Sequence, residues 1–378
     1  MSDREKREWK DGRYKIAETL EDAAGVLLGE RAISLLVEPI RELSVAVSQG
    51  QRQFDWRTVE AALYCVRSTF TYGQEAPNEM LCELFGSLPQ MPKIPKLQYT
   101  VALTCQAYAD WIASPGAAQA SPRLAEGVFQ LVSEGLLVPE SSYAAAQAFF
   151  HLCDAMSKVP GHPSLGGLVP KVMQAVQAAH PAGDMARLRP TGQQVLELSE
   201  VDVHQILKAA TVLARQLRDE QAVAVARALL EPPLSALAAA AAGDVTVGSR
   251  DHQVARMCVD RCSTVVRFAP GVFSDTVSQV LVGAWPSLTR VLDAVGTDMD
   301  SAESIARLLR YSIKSLGPAK IQPLVAPLCH LLPTVFAAQR HSCYLFLASE
   351  LVKSFGPSPN SASMLSPLFQ ALLQGALG

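Results

Sequence analysis

Residues 60–70 read EAALYCVRSTF, in which Ala61, Tyr64, Cys65 and Ser68 recur at i, i+3, i+4 and i+7. That spacing puts the four on one face of an α-helix. Outward from this segment the helical period continues in both directions, without runs of alternating β-branched residues. Pro, Gly or a Ser/Asp cap interrupts it at roughly twenty-residue intervals. The pattern predicts about sixteen helices: 13–28, 31–49, 56–72, 76–88, 94–113, 121–137, 141–158, 164–178, 201–217, 220–241, 250–268, 273–295, 300–316, 319–336, 341–355 and 362–376. A kink is expected at Pro232-Pro233. Taken in pairs, these helices repeat every ~45 residues, the period of HEAT and armadillo units. The expected fold is therefore an all-α solenoid of about seven or eight repeats, continuous over 1–378, with a surface loop over 179–200.

Composition agrees with that reading. Apolar residues make up 49% of the 378 and aromatics only 6%, so the core is drawn from Ala, Leu and Val. The net charge of −3 gives no basic bias toward nucleic acid. The opening MSDREKREWKDGRYK is charged throughout and is not a secretory signal. The most apolar stretch, 222–242, is interrupted by Arg227, Glu231 and the proline pair, which argues against a membrane span. Together these features predict a soluble chain. Eight cysteines lie singly, most within apolar helical runs, the pattern of reduced buried thiols. At the ends, helix 13–28 lacks an outer partner and helix 362–376 an inner one. The chain is thus expected to be a slice of a longer array, whose exposed ends favour self-association.

Four segments carry a more particular likeness: DWRTVEAALYCVRS (55–68), YAAAQAFFHLCDAM (143–156), SIARLLRYSIKSLG (304–317) and HSCYLFLASELVKSFG (341–356). In order and spacing they resemble helices of the transportin-3-like branch of the importin-β (karyopherin) superfamily. The resemblance implies a nuclear-transport receptor that shuttles between nucleus and cytoplasm and holds protein cargo on its concave, inner-helix face. It implies splicing factors with Arg-Ser-rich domains as cargo, with Ran-GTP as partner of the full-length receptor, and makes nucleoporins possible partners. It also implies that the amino-terminal third, which carries most of the Ran contact, is not in this chain. No cofactor, membrane or direct nucleic-acid contact is implied, nor any enzymatic activity. The rival reading is a HEAT scaffold for complex assembly without a transport role.

The most informative helix holds Arg307, Arg310 and Lys314, which fall at i, i+3 and i+7 on one face. The resemblance makes this the cargo-binding helix, and the chemistry is sound. A phosphoserine carries about −1.5 to −2 charges, and guanidinium forks can take its oxygens in pairs. Two positions depart from the family pattern: Ser304 and Lys314 stand where it has arginines. Residues 250–353 also carry more Lys and Arg than Asp and Glu.

Other constellations read as structure. Cys329, His330, His341 and Cys343 form a zinc-like set, but neighbours on a helix point about 100° apart, so packing and capping are the expectation and no metal site is assigned. Cys258 and Cys262 share a face, yet two thiols do not make a site. His151 and Cys153 on one helix cannot form a nucleophile–base pair. GHPSLGG (161–167) lacks the Lys-Ser/Thr of a phosphate loop. No catalytic residue is assigned.

Overall fold

The computed structural model describes residues 2–27, 29–74, 78–179, 198–356 and 362–377. The expected 179–200 loop falls almost wholly on 180–197, outside the described residues. The described residues form eighteen α-helices and short 3-10 turns, with no strand. They gather into two compact units, Met1–Ala175 with Gln194–Ala209 and Val176–Gln193 with Ala210–Gly378.

In the first unit α1 (Asp3–Leu27), α2 (Gly29–Ser48), α3 (Trp56–Ser68), α4 (Phe70–Gly73), α5 (Asn78–Ser87) and α6 (Pro95–Ala107) lead into α7 (Ala109–Ile112) and α8 (Pro115–Ala120). Next come α9 (Leu124–Gly135), α10 (Ser142–Ser157), most of α11 (Leu165–Ala179) and the start of α12 (Glu200–Leu213). One layer is the succession α1, α3, α6, α10, each packed on the next; α2 packs on α3, and α9 on α6 and α10. Each expected helix ending near 72 or 113 is in fact two. The turns at Thr69 and Tyr108 cut off α4 and α7, and the Thr69 hydroxyl bonds back to Cys65 O and Val66 O. Helix α10 is deeply buried: Ala144, Ala145, Ala146, Ala148, Phe149, Leu152 and Cys153 are all shut from solvent. Its small side chains let α6 and α9 approach from two sides, while Phe129 and Phe149 stack with centroids 4.7 Å apart.

In the opening segment the face shared by Ala61, Tyr64, Cys65 and Ser68 is not the one most deeply buried. Helix α3 exists, started by Asp55, whose carboxylate accepts from Arg57 N and Thr58 Oγ1. Its buried face, however, is Val59, Ala62, Leu63 and Val66. Ala61 is exposed, and Tyr64, Cys65 and Ser68 are half-buried. The larger branched side chains outweigh the face that begins at Ala61, because burial scales with apolar area.

The second unit holds α13 (Asp219–Ala242), α14 (Arg250–Phe268), α15 (Ser274–Val295), α16 (Met299–Gln339), α17 (Ser342–Phe355) and α18 (Ala362–Leu377). Gly317, at φ 70° and ψ 174°, breaks α16 into limbs 299–316 and 318–339, matching the two helices expected there. Only glycine adopts that backbone without strain, and Pro318 then starts the second limb at a position whose N–H would have no partner within the helix. One layer runs α14, the first limb of α16, α17; the other runs α13, α15, the second limb, α18. By contrast, α13 stays one helix through Pro232-Pro233. By length and composition α13 and α16 are each apolar enough to cross a bilayer. Here Ala222, Leu229 and Leu237 of α13 are buried, and that helix packs on α14 and α15.

The period of the sequence reappears in the polar bonds between helices. Arg41 pairs with Glu83, Arg256 with Asp300, Lys320 with Asp275 and Arg13 with Glu60, over separations of 42, 44, 45 and 47 residues. Each links a helix to the equivalent helix one repeat away, which is the contact pattern of a stacked array.

Candidate functional site

Helix α14, the first limb of α16 and α17 lie side by side, and the limb between them carries the three candidate cations. Its start is fixed by Asp298, which accepts from Ser301 N at 3.0 Å and from Ser301 Oγ at 2.7 Å. Buried Leu308, Leu309 and Ile313 hold the opposite face in the core, so Arg307 and Arg310 fall outside it.

The three cations differ in their surroundings. Arg307 is half-exposed; its Nη2 donates to Glu303 Oε1 at 3.0 Å, and Nη1 lies 3.8 Å from Asp260 Oδ1 on α14. Lys314 Nζ lies 3.2 Å from Glu350 Oε2 on α17, and Glu350 also accepts from Lys353 Nζ at 3.0 Å. Burial works to raise the Glu350 carboxyl, but the Lys353 and Lys314 hydrogen bonds outweigh it and hold it below the ordinary glutamate value. Arg310 has no carboxylate partner among the described residues. Its guanidinium lies 5.3 Å from the Tyr311 ring centroid, and its Nε is buried without a hydrogen bond among the described residues.

Arg307 and Arg310 line one cavity of about 280 Å³ with Met299, Glu303, Ser342, Cys343 and Phe346. The Phe346 ring is 64% exposed at its edge. Lys314 does not line this cavity. Ser304 is only 4% exposed, so an arginine there would have to enter the core.

Sequence reasoning missed a polar cluster at the head of the same limb. His252 and Ser301 are buried, with His252 Nε2 2.6 Å from Ser301 Oγ. His252 Nδ1 accepts from Gly248 N at 2.9 Å, which leaves the ring proton on Nε2. Ser301 therefore receives a hydrogen bond from histidine and gives its own proton to Asp298. That order is the reverse of a Ser-His-Asp triad, where the histidine accepts the serine proton. The cluster pins α14 to α16 across a separation of 49 residues.

His341 Nε2 lies 3.1 Å from Gly296 O, and Cys329 and Cys343 are half-buried with thiols raised by burial. Among the described residues no three of His, Cys, Asp and Glu come together as a metal would need. None of the eight cysteines is in a disulfide, and burial pushes the Cys105 thiol up to about 12. His151 is half-buried with its ring at 5.3 Å from Phe150, and Cys153 is fully buried.

Comparison with known proteins bears on the second unit first. Residues 275–377 match the family model described as the Transportin-3/Importin-13 fourth TPR domain. The chain is 26% identical over 370 residues to "Transportin MOS14" of Arabidopsis thaliana, covering 97% of this chain and 36% of that protein. It is 24% identical over 165 residues to "mRNA transport regulator MTR10" of Saccharomyces cerevisiae, covering 42% of this chain and 16% of that protein. The solved structure "Importin13 cytosolic state" superposes with a TM-score of 0.79 at 16% identity, over 100% of this chain and 40% of the other, and establishes the fold. The chain spans about a third of the length of the transportin it matches. The chain thus has the stacked-helix fold of an importin, and it is similar in sequence to a transportin over nearly its whole length and to the Transportin-3/Importin-13 fourth TPR domain over 275–377.

Proposed function

We propose that the chain is part of a nuclear-transport receptor, and that it holds phosphorylated Arg/Ser-rich protein cargo on its concave inner layer through Arg307, Arg310 and Lys314. The observation that carries the site is Arg310, a guanidinium lining a cavity with no carboxylate paired to it among the described residues. A phosphate oxygen offers that group the acceptors it lacks, in the paired geometry that a guanidinium fork favours. The names "transportin" and "mRNA transport regulator" borne by relatives support the transport role. Ran-GTP regulates the full-length receptor in this reading, nucleoporins are its contacts in transit, and it shuttles between nucleus and cytoplasm.

Fluorescence anisotropy with an Arg-Ser peptide, phosphorylated and unphosphorylated, tests the site. The phosphorylated form is expected to bind more tightly. Arg310→Ala should cost about 1.5–3 kcal/mol of that binding, roughly ten- to hundred-fold in affinity. Equal binding of the two peptides, or indifference to Arg310→Ala with the fold intact, would place cargo elsewhere. One observation favours the scaffold alternative: Arg256, Arg307 and Lys314 each meet a carboxylate of a neighbouring helix, as cations that only tie repeats together would.

A further inference from the structure

A second concave surface lies wholly within the first unit and is built differently. Helices α1, α3 and α6 each bring an aromatic ring and a cation to one cleft of about 860 Å³. On α3 the stripe is Trp56, Glu60, Tyr64 and Arg67, spaced by four, four and three residues along one helix face. Tyr14 and Lys10 come from α1, and Tyr99 and Lys96 from α6. The whole chain has four Trp and eight Tyr; one Trp and three Tyr converge here, with Tyr14 67% and Tyr99 36% exposed. Trp56, Tyr64 and Arg67 are half-buried, and Trp, Tyr and Arg gathered in a concavity are the composition of binding hot spots.

The wall is organised in advance. The Tyr64 ring has the Arg13 guanidinium 3.9 Å from its centroid and the Arg67 guanidinium at 5.1 Å. Its hydroxyl donates to Arg13 O at 2.6 Å. Glu60 accepts from Arg13 Nη2 at 2.9 Å and from Thr100 Oγ1 at 2.9 Å, so its charge is spent. Lys10, Arg67 and Lys96 form no ion pair among the described residues, in contrast to Arg307 and Lys314 of the second unit. Asp11 and Glu140 also line the cleft, and the three unpaired cations outnumber them.

Packed helices stand ~8–10 Å apart, so a cleft running from α1 across α3 and α6 to Glu140, just before α10, is ~25 Å long. That matches about seven or eight residues of extended chain and exceeds what a metabolite would fill. We propose that this cleft binds an extended acidic peptide carrying aromatic anchors. Its rings stack on Tyr14, Trp56 and Tyr99, and its carboxylates pair with Lys10, Arg67 and Lys96. The site is separate from Arg307 and Arg310 and does not depend on the transport reading.

The test uses the full chain and a short fluorescein-labelled peptide of repeating Glu-Phe, followed by anisotropy. Binding should weaken about ten-fold or more when every glutamate of the peptide is replaced by glutamine. Lys96→Glu combined with Tyr99→Ala should do the same, and Arg307→Ala with Arg310→Ala should leave it unchanged. Both substituted positions of the first pair are exposed, and the glutamine peptide probes the native chain whatever their effect on folding. Three results would overturn the proposal: equal binding of the glutamine peptide, tighter binding of a Lys-Phe peptide, or loss through the Arg307/Arg310 pair alone.

Discussion

Arg310 and Lys314 stand four residues apart, yet an incoming phosphate meets them in different states. At Arg310 it finds donors unspent; at Lys314 it must first take the ammonium from Glu350. Lys314→Ala should therefore cost less phosphopeptide affinity than Arg310→Ala, and Glu350→Gln should raise that affinity by freeing Lys314. Anisotropy titrations on the three variants check this order; a weaker Glu350→Gln complex would contradict it. Asp298 gives a second prediction. Its hydrogen bond from Ser301 holds the carboxyl below the ordinary aspartate value of 3.8, aided by His252 and Arg256 nearby. A depressed folded-state pKa adds stability that is fully present above the unfolded value and is lost as pH falls through the folded one. Asp298→Ala should thus melt lower at neutral pH, by an amount equivalent to ~1 kcal/mol for a lost cap. Melting curves taken down the acid limb should show the gap to wild type closing below about pH 4. A gap that stays constant would show that ionisation of Asp298 plays no part.

At the scale of elements, the break at Gly317 is the test case. Its φ of 70° with ψ of 174° is open almost solely to glycine, so Gly317→Ala should cost about 1–3 kcal/mol. Denaturant midpoints measure it, and a loss under ~0.5 kcal/mol would mean that the two limbs can meet in another way. This boundary was legible because Gly-Pro is a strong stop signal, as were most helices, whose caps and apolar periods are local. The buried face of α3 was not, since periodicity alone ranks Ala61 and Ser68 with Leu63 and Val66. The partners of the candidate cations were less legible still. The spacing of Arg307 and Arg310 put them on one surface, which the shared cavity shows. Asp260 and Glu350, however, come from other helices, and their approach depends on how neighbouring helices slide past each other. For the same reason the cleft of Tyr14, Trp56, Tyr64 and Tyr99 could not be assembled from residues scattered along three helices.

For the whole molecule, contacts within each unit run mainly between neighbouring helices, and stability should be distributed accordingly. Phe149 is fully buried in α10 and stacks on Phe129 of α9. Phe149→Ala should cost about 3–5 kcal/mol locally. Hydrogen exchange should show lost protection in α6, α9 and α10 that fades before α1 and α2; a uniform loss across the first unit would mark it as a single cooperative block instead. The ion pairs between successive helices carry one more consequence. Glu350 is a competitor tethered to the very cation it guards, present at an effective concentration that no dilution lowers, of order millimolar or above for a short tether. A cargo with one phosphate would compete against it on poor terms. A cargo with several, once anchored at Arg310, brings its next phosphate to Lys314 at a comparable local concentration and can displace the guard, so a switch in binding would follow the number of phosphates along one segment rather than the amount of cargo in solution.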